Sequence, residues 1–205
     1  MKAGAEMKSR TRFSRAFFAG FWFCLVVMTG AMPALAAGVS CDDWNTQKFF
    51  ERADGADAAR CVKAGENPVS RSVFSGDAPL HTAAAYATNP AVVAALVKAG
   101  ADPNARNLYK RTTPLHAAAA FGKTPAIIEA LVKAGAKVNI RDKFKQTPLH
   151  AAARESRTPA VVAALLDAGA NPGARNKSGK TPFDYAKENA ALRGTEVYER
   201  LKAAR

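Results

Sequence analysis

Residues that carry chemistry are scarce in this chain. In 205 residues there are three histidines and three cysteines. His81, His116 and His150 sit at the same place in three copies of one motif, and no carboxylate or cysteine accompanies them at ligand spacing. That argues against a zinc-type metal centre. No G-x-S-x-G elbow and no reactive Cys-His context is present, and no G-x-x-x-x-G-K-[ST] phosphate loop. Gly173 and Gly179 belong to turns rather than to a nucleotide cradle. With no convergent set of titratable side chains, the expectation is a protein that is not an enzyme and takes no cofactor. Acidic residues are few as well, 17 against 30 lysines and arginines, for a net charge of +13. Such a balance favours acidic partners or anionic surfaces. No recognised nucleic-acid motif accompanies it, so no nucleic acid is expected among the partners.

Long apolar runs are absent after Ser40, and the one before it has a specific form. Lys2, Lys8, Arg10, Arg12 and Arg15 precede 17 uncharged residues, 16–32, and Ala34-Leu35-Ala36 follows. A basic start, an apolar stretch and A-x-A make a secretory signal peptide over residues 1–36, cleaved after Ala36. Retention as a single-span anchor is the alternative. The short run and Pro33 favour cleavage. The expected product is periplasmic or secreted, with no stable membrane span and monomeric. Losing five bases and one acid leaves 25 against 16, still basic. Cys24 goes with the leader. Cys41 and Cys61 remain, an even count that in an oxidising compartment suggests one disulfide; two free buried thiols are the alternative.

What is abundant is repetition. Residues 113–135 read TPLHAAAAFGKTPAIIEALVKAG. Residues 78–100 and 147–169 are close copies, and a decayed copy opens with TPFDYAKENA at Thr181. Pro79, Pro114, Pro148 and Pro182 are spaced 35, 34 and 34 residues apart. A fixed period in this range means a stack of small units that bury a continuous core between them. Within one unit, Thr113 is a helix N-cap and Pro114 takes the first helical position, where its missing N–H is harmless. Leu115, Ala118 and Ala119 form a narrow apolar face, and Gly122 ends the helix. Thr124-Pro125 repeats the start signal for a second helix over residues 126–133. Its inner face is Ile127, Ile128, Leu131 and Val132. Gly135 supplies the left-handed cap, and residues 142–146 form a turn. Upstream, residues 42–52 read as one amphipathic helix capped by Asp42 or Asp43, with Trp44, Lys48, Phe49 and Phe50 on or near one face. Asp54-Gly55 ends it, and residues 56–63 form a second helix closed by Gly65. Such a helical hairpin brings Cys41 and Cys61 together. Residues 195–204 give a final helix with charges among Val197, Tyr198 and Leu201.

TPLHAAA, followed by KAGA(D/K)xN and a turn, resembles the ankyrin repeat over residues 41–205, strongly in three units and less so at the two ends. The implied fold is an all-α ankyrin-repeat solenoid of about five helix-turn-helix units with β-turn or hairpin tips. Residues 37–77 would be an N-terminal capping repeat, and 78–205 the repeats with a C-terminal capping unit. Extra residues before each second helix and in the turn 107–112 lengthen this pattern. The histidine of the motif is structural in that family, bonding within and between repeats. Asp184 takes its place in the last unit.

The resemblance also implies non-enzymatic protein binding on a concave face made of turn tips and first helices. Carried across residue by residue, the tips are Leu108, Tyr109, Lys110 and Arg111; then Lys143, Phe144 and Lys145; then Lys177 and Lys180. The first helices contribute Tyr86, Phe121 and Arg154. Aromatic anchors inside a charged rim resemble an interface hot spot. The expected partner is an acidic protein. The alternative is an anionic envelope component, a lipid head group or polysaccharide, held by the basic tips.

Overall fold

The computed structural model describes residues 39–204 except Phe74. The signal segment expected over residues 1–36 lies outside them. A short 3-10 turn, Cys41–Asp43, leads into ten α-helices: α1 Gln47–Arg52, α2 Gly55–Lys63, α3 Pro79–Tyr86, α4 Ala91–Lys98, α5 Pro114–Phe121, α6 Pro125–Lys133, α7 Pro148–Glu155, α8 Pro159–Asp167, α9 Pro182–Ala186 and α10 Glu196–Ala203. No strand occurs among the described residues; the tips are turns. Two parallel rows result. The odd-numbered helices pack in series, α1 on α3, α3 on α5, α5 on α7 and α7 on α9. The even-numbered helices do the same from α2 to α10.

Short helices form here because both ends are chemically specified. Pro occupies the first turn of α3, α5, α7 and α9. At the other end of α4, Gly100 has φ 101°, its N–H donates to Val97 O at 3.0 Å, and Ala101 N–H donates to Leu96 O at 3.0 Å. Those two bonds satisfy carbonyls that would otherwise be orphaned, and they need a left-handed residue between them. Gly65, Gly135 and Gly169 repeat the arrangement.

The rows meet through fully buried aliphatics: Leu80, Leu115 and Leu149 from the inner row, and Val92, Val93, Leu96, Ile127, Ile128, Leu131, Val161, Val162 and Leu165 from the outer. Ala83, Ala84, Ala118, Ala119, Ala152 and Ala153 are buried between successive inner helices, where small side chains permit close approach. Val132 is only half-buried, a margin rather than a core position.

Both ends differ from the sequence reading in detail. Residues 42–52 are not one helix. Ser40 caps the 3-10 turn, Asn45 turns the chain at φ 61°, and Thr46 caps a separate α1. Neither Asp42 nor Asp43 is the cap of α1; Asp43 pairs with Lys48 at 2.8 Å. Lys48 is exposed, while Phe49 and Phe50 are buried against Trp44. Asp54 starts α2 rather than ending α1. Its Oδ1 accepts from Ala56 and Asp57 N–H, and Asp57 Oδ2 accepts from Asp54 N–H at 3.2 Å, a reciprocal capping box. Cys41 Sγ and Cys61 Sγ are bonded, with Cα atoms 5.4 Å apart. At the far end, Asn189 Nδ2 donates to Ala153 O and Ser156 O, and Tyr198 lies against Phe183. That covers the last inner helix without a further repeat.

Candidate functional site

Four turns project from one edge of the stack: tip 1 (residues 72–77), tip 2 (107–112), tip 3 (142–146) and tip 4 (176–180). Each is closed by a backbone bond between its ends, Ser72 to Asp77, Asn107 to Thr112, Asp142 to Gln146 and Asn176 to Lys180. In tips 2, 3 and 4 an Asn or Asp side chain holds the turn from inside. Asp142 Oδ1 accepts from Phe144 and Gln146 N–H, both at 2.8 Å. Asn107 and Asn176 do the same. Adjacent tips then bond to each other, Lys143 N–H to Lys110 O at 3.0 Å and Lys177 N–H to Phe144 O at 2.9 Å.

Two ladders of side chains fix the bases of the tips. His81, His116 and His150 each accept, at Nδ1, the N–H of the residue capping their own helix. From Nε2 each donates to the next tip: to Thr112 O, Gln146 O and Lys180 O, all at 3.1 Å. Both bonds require the neutral Nε2–H form. Burial favours the same form and pushes all three rings below the ordinary histidine value, His116 to about 4. The structural role implied for these histidines is what the geometry shows. Asp184 keeps only the local half of it, accepting from Thr181 N–H and Oγ1–H. Those bonds and Lys187 hold its carboxyl well below the usual carboxylate range.

The second ladder was not read from the sequence. Nη1 of Arg71 donates to Arg106 O at 2.7 Å, Nη1 of Arg106 to Arg141 O at 2.8 Å, and Nη1 of Arg141 to Arg175 O at 2.9 Å. The signal was present in the spacing, since these arginines recur with the repeat.

On this rigid edge Leu108, Tyr109, Lys110, Arg111, Lys143, Phe144, Lys145, Lys177 and Lys180 are all exposed. Phe121 and Phe144 expose 56% and 44% of their surface, far more than a packed aromatic. The structure gathers four of the expected residues around one cavity of ≈220 Å³: Lys110, Phe121, Phe144 and Arg154. Its floor is Ala117, Ala120 and Ala151, with Asp142 and Glu155 at the margin. Tyr86 is half-buried and lies in a neighbouring groove, which shares Ala120, Phe121 and Glu155 with this one. The remaining tip residues form the crest above the cavity rather than its lining. Arg154 is not a free cation, since Glu155 pairs with it at 2.7 Å.

Tyr185 was missed and matters. It stands four residues after Thr181, where Ala117 follows Thr113 and Ala151 follows Thr147. A ring stands there in place of a methyl group. Arg154 and Lys180 lie 5.7 and 5.3 Å from its centroid, and its hydroxyl accepts from Gln146 and Asn176. The substitution of tyrosine for a motif alanine was the available clue.

The electrostatics separate the tips from the rest of the surface. Every ion pair among the described residues lies outside them: Lys48–Asp43, Arg60–Asp57, Lys123–Glu51, Arg154–Glu155, Lys187–Asp184, Arg200–Asp167 and Lys202–Glu199. Lys110, Arg111, Lys143, Lys145, Lys177 and Lys180 have no ion-pair partner among the described residues. Arg111 and Lys145 also adopt φ 57° and 58°, where Gly76 and Gly179 stand in tips 1 and 4. A side chain there costs about 1–2 kcal/mol relative to an ordinary conformation.

A family model for ankyrin repeats matches residues 54–142, 80–176 and 115–201, which together span 54–201. The chain belongs to the ankyrin repeat family. No curated protein sequence matches it. Ankyrin repeats are a protein–protein interaction module, and the tips, with the last residues of the inner helices, are the part of this ankyrin stack whose side chains differ from unit to unit. Among the described residues no group of three or more His, Cys, Asp or Glu could hold a metal ion, and no helix is long and apolar enough to cross a membrane.

Proposed function

We propose that this protein is an exported, monomeric, non-enzymatic ankyrin module that holds an acidic partner protein on the concave face formed by its tips and inner helices. The observation that carries the reading is the set of six unpaired cations on tips 2, 3 and 4. Two of them occupy left-handed positions that glycine would fill with less strain. Backbone strain that persists at a surface position points to a use for the side chain held there. The exposed rings of Tyr109, Phe121 and Phe144 supply what cations alone do not, apolar area to bury at the centre of an interface. The histidines are engaged in backbone hydrogen bonds, which fits a binder rather than a catalyst.

Export rests on the basic, apolar, A-x-A leader, and an oxidising destination suits a bridge between Cys41 and Cys61. Mass spectrometry of protein recovered from the periplasmic and extracellular fractions tests it. A chain starting at Ala37 is expected, and full-length protein confined to the membrane would contradict it. For the binding face, the triple change of Tyr109, Phe144 and Lys145 to serine should abolish crosslinking to the partner in the native envelope. Undiminished crosslinking by a folded variant rules out this face.

The alternative occupant is an anionic envelope component, a lipid head group or polysaccharide. Tip 4 favours it, because Lys177 and Lys180 stand there without an exposed apolar neighbour. Binding of that kind weakens steeply with salt and tolerates loss of Tyr109 and Phe144. A protein interface centred on those rings does not tolerate it.

A further inference from the structure

The row of tips is polarised. Tip 1 contains no lysine or arginine and exposes Val73 at 82%. Tip 2 exposes Leu108 at 64% and Tyr109 at 54%, and adds Lys110 and Arg111. Tip 3 keeps one exposed ring, Phe144, between Lys143 and Lys145. Tip 4 has Lys177 and Lys180 and no exposed large apolar side chain. Among the described residues, exposed large apolar side chains therefore stand on tips 1, 2 and 3, two of them on tip 2, and are absent from tip 4. Uncompensated positive charge is absent at tip 1 and present at each of the other three.

The two ends belong to one surface. Tyr109 Oη reaches Val73 O at 3.5 Å, and Asn107 Nδ2 donates to Asp77 Oδ1 at 3.0 Å, joining tips 1 and 2. The Leu108 side chain lies over Gly76, where a Cβ would meet it at 2.8 Å. That glycine lets the leucine of one tip rest on the backbone of the other. Tips 2, 3 and 4 are joined by the backbone bonds from Lys143 and Lys177. The acids on the row, Asp77 and Asp142, are turned to the tips' own hydrogen bonds and do not neutralise the lysines.

The geometry points to a bipartite occupant: an extended acidic segment of a partner protein whose apolar side chains cover Val73, Leu108 and Tyr109 and whose carboxylates reach Lys143, Lys145, Lys177 and Lys180. It rests on the acidic-partner reading above and adds register to it. Charge complementarity selects carboxylates for the C-terminal end of the row. At the other end, tip 1 carries no cation for them, and exposed leucine and valine gain from apolar contact. Between the two, Phe144 and the cavity beside it accept either kind of side chain, so the change from apolar to acidic falls near tip 3.

Two fluorescein-labelled peptides test this against the full chain. One has a block of leucine and phenylalanine followed by a run of glutamates; the other is all glutamate. The block peptide should bind about tenfold tighter or more, the equivalent of burying one large apolar side chain. The double variant L108S/Y109S should erase that advantage and leave the all-glutamate peptide unchanged. K143Q/K177Q/K180Q should weaken both peptides and flatten their salt dependence. A nitroxide on the apolar end should broaden the amide signals of Val73, Leu108 and Tyr109, and one on the acidic end those of Lys177 and Lys180.

Equal affinity of the two peptides, or a nitroxide pattern that is reversed or uniform, overturns the polarity while the acidic-partner reading stands. Failure of both peptides to bind overturns the two together. Light scattering adds one more outcome. A dimer of the free protein that L108S/Y109S dissolves would assign the apolar end to a second copy and overturn the inference. A monomer in both cases supports it.

Discussion

In every repeat a tip and the inner helix after it are a few residues apart, and they follow opposite rules. The inner helices keep their side chains. Leu80, Leu115 and Leu149 recur at one position with no exposure, and the alanines around them recur too. The tips keep their hydrogen bonds and change their side chains. Each is closed by the same backbone bond and seated on a histidine or its aspartate substitute, yet one presents Leu-Tyr-Lys-Arg, another Lys-Phe-Lys and another Lys-Ser-Gly-Lys. Stability is therefore concentrated in side chains that cannot vary. The proposed function leaves recognition to side chains whose backbone is held by something else, and changes in the two regions should then have separable consequences.

The largest effect is expected in the helices. Leu115→Ala leaves a cavity at the centre of the stack and should cost about 2–5 kcal/mol. Urea unfolding measures it. Changes confined to Lys143 or Lys177 should stay within about 0.5 kcal/mol in the same experiment. A tip change costing as much as the core change would break the comparison at its base.

The histidine ladder is where the two regions join, and pH tests it. The His116 value lies near 4 when folded and near 6.5 when unfolded. The unfolded chain therefore binds the extra proton first as pH falls. The contribution is fully present above about 6.5 and is lost progressively down to about 4. The shift corresponds to about 3 kcal/mol from this one ring. His81 and His150 shift in the same direction. Unfolding free energy measured from pH 7.5 to 4 should fall accordingly, and H116Q should remove a large part of the slope. A slope unchanged by H116Q would mean the ladder does not titrate as its burial requires.

A third effect sharpens the contrast between the first repeat and the rest. The bridge between Cys41 and Cys61 spans a sequence separation of 20. Closing a loop of that size adds on the order of 3 kcal/mol. C41S/C61S should lower stability by that order. Hydrogen exchange should rise in α1 and α2 while α5 to α8 keep their protection. Loss spread evenly over all repeats would show that the N-terminal cap is coupled to the whole stack.

The sequence made the scaffold legible because its determinants are local. Thr-Pro starts, Gly stops and a period near 34 residues need no tertiary information. The aromatic and basic tip residues were legible too, as departures from the repeat. What was missed depends on distant partners or on competing caps. Arg71, Arg106 and Arg141 look like loop cations until the carbonyls one repeat away are in place. The break between Cys41–Asp43 and α1 arises because Ser40 and Thr46 each offer a cap, and Asn45 tolerates the left-handed turn between them. Asp54 was read as a stop because Asp-Gly so often marks a turn, yet its side chain faces forward into α2. The grouping of Lys110, Phe121, Phe144 and Arg154 around one cavity needed the helix rows to be stacked, and so did the separation of Tyr86 from it.

The smallest effect is the most telling, because its sign differs between the two properties. Arg111 and Lys145 hold φ near 57°, the position Gly76 and Gly179 fill in the outer tips. Replacing either with glycine relieves about 1–2 kcal/mol of backbone strain and adds about 0.5–1 kcal/mol of unfolded-chain entropy. K145G should therefore stabilise the fold by about 0.5–1 kcal/mol, read as a raised urea midpoint with an unchanged slope. It also removes one of the six tip cations and should weaken capture of an acidic partner, with a smaller salt dependence than the parent protein. R111G should behave alike, since Arg111 holds the same left-handed position one residue before the end of its tip. A glycine variant that is both more stable and equally strong in binding would leave the strained lysine without a purpose. One that is less stable would show that the strain is already relieved by contacts along the crest. Only the opposed pair of outcomes supports the division of labour between a helix row that specifies the fold and tips held rigid for recognition.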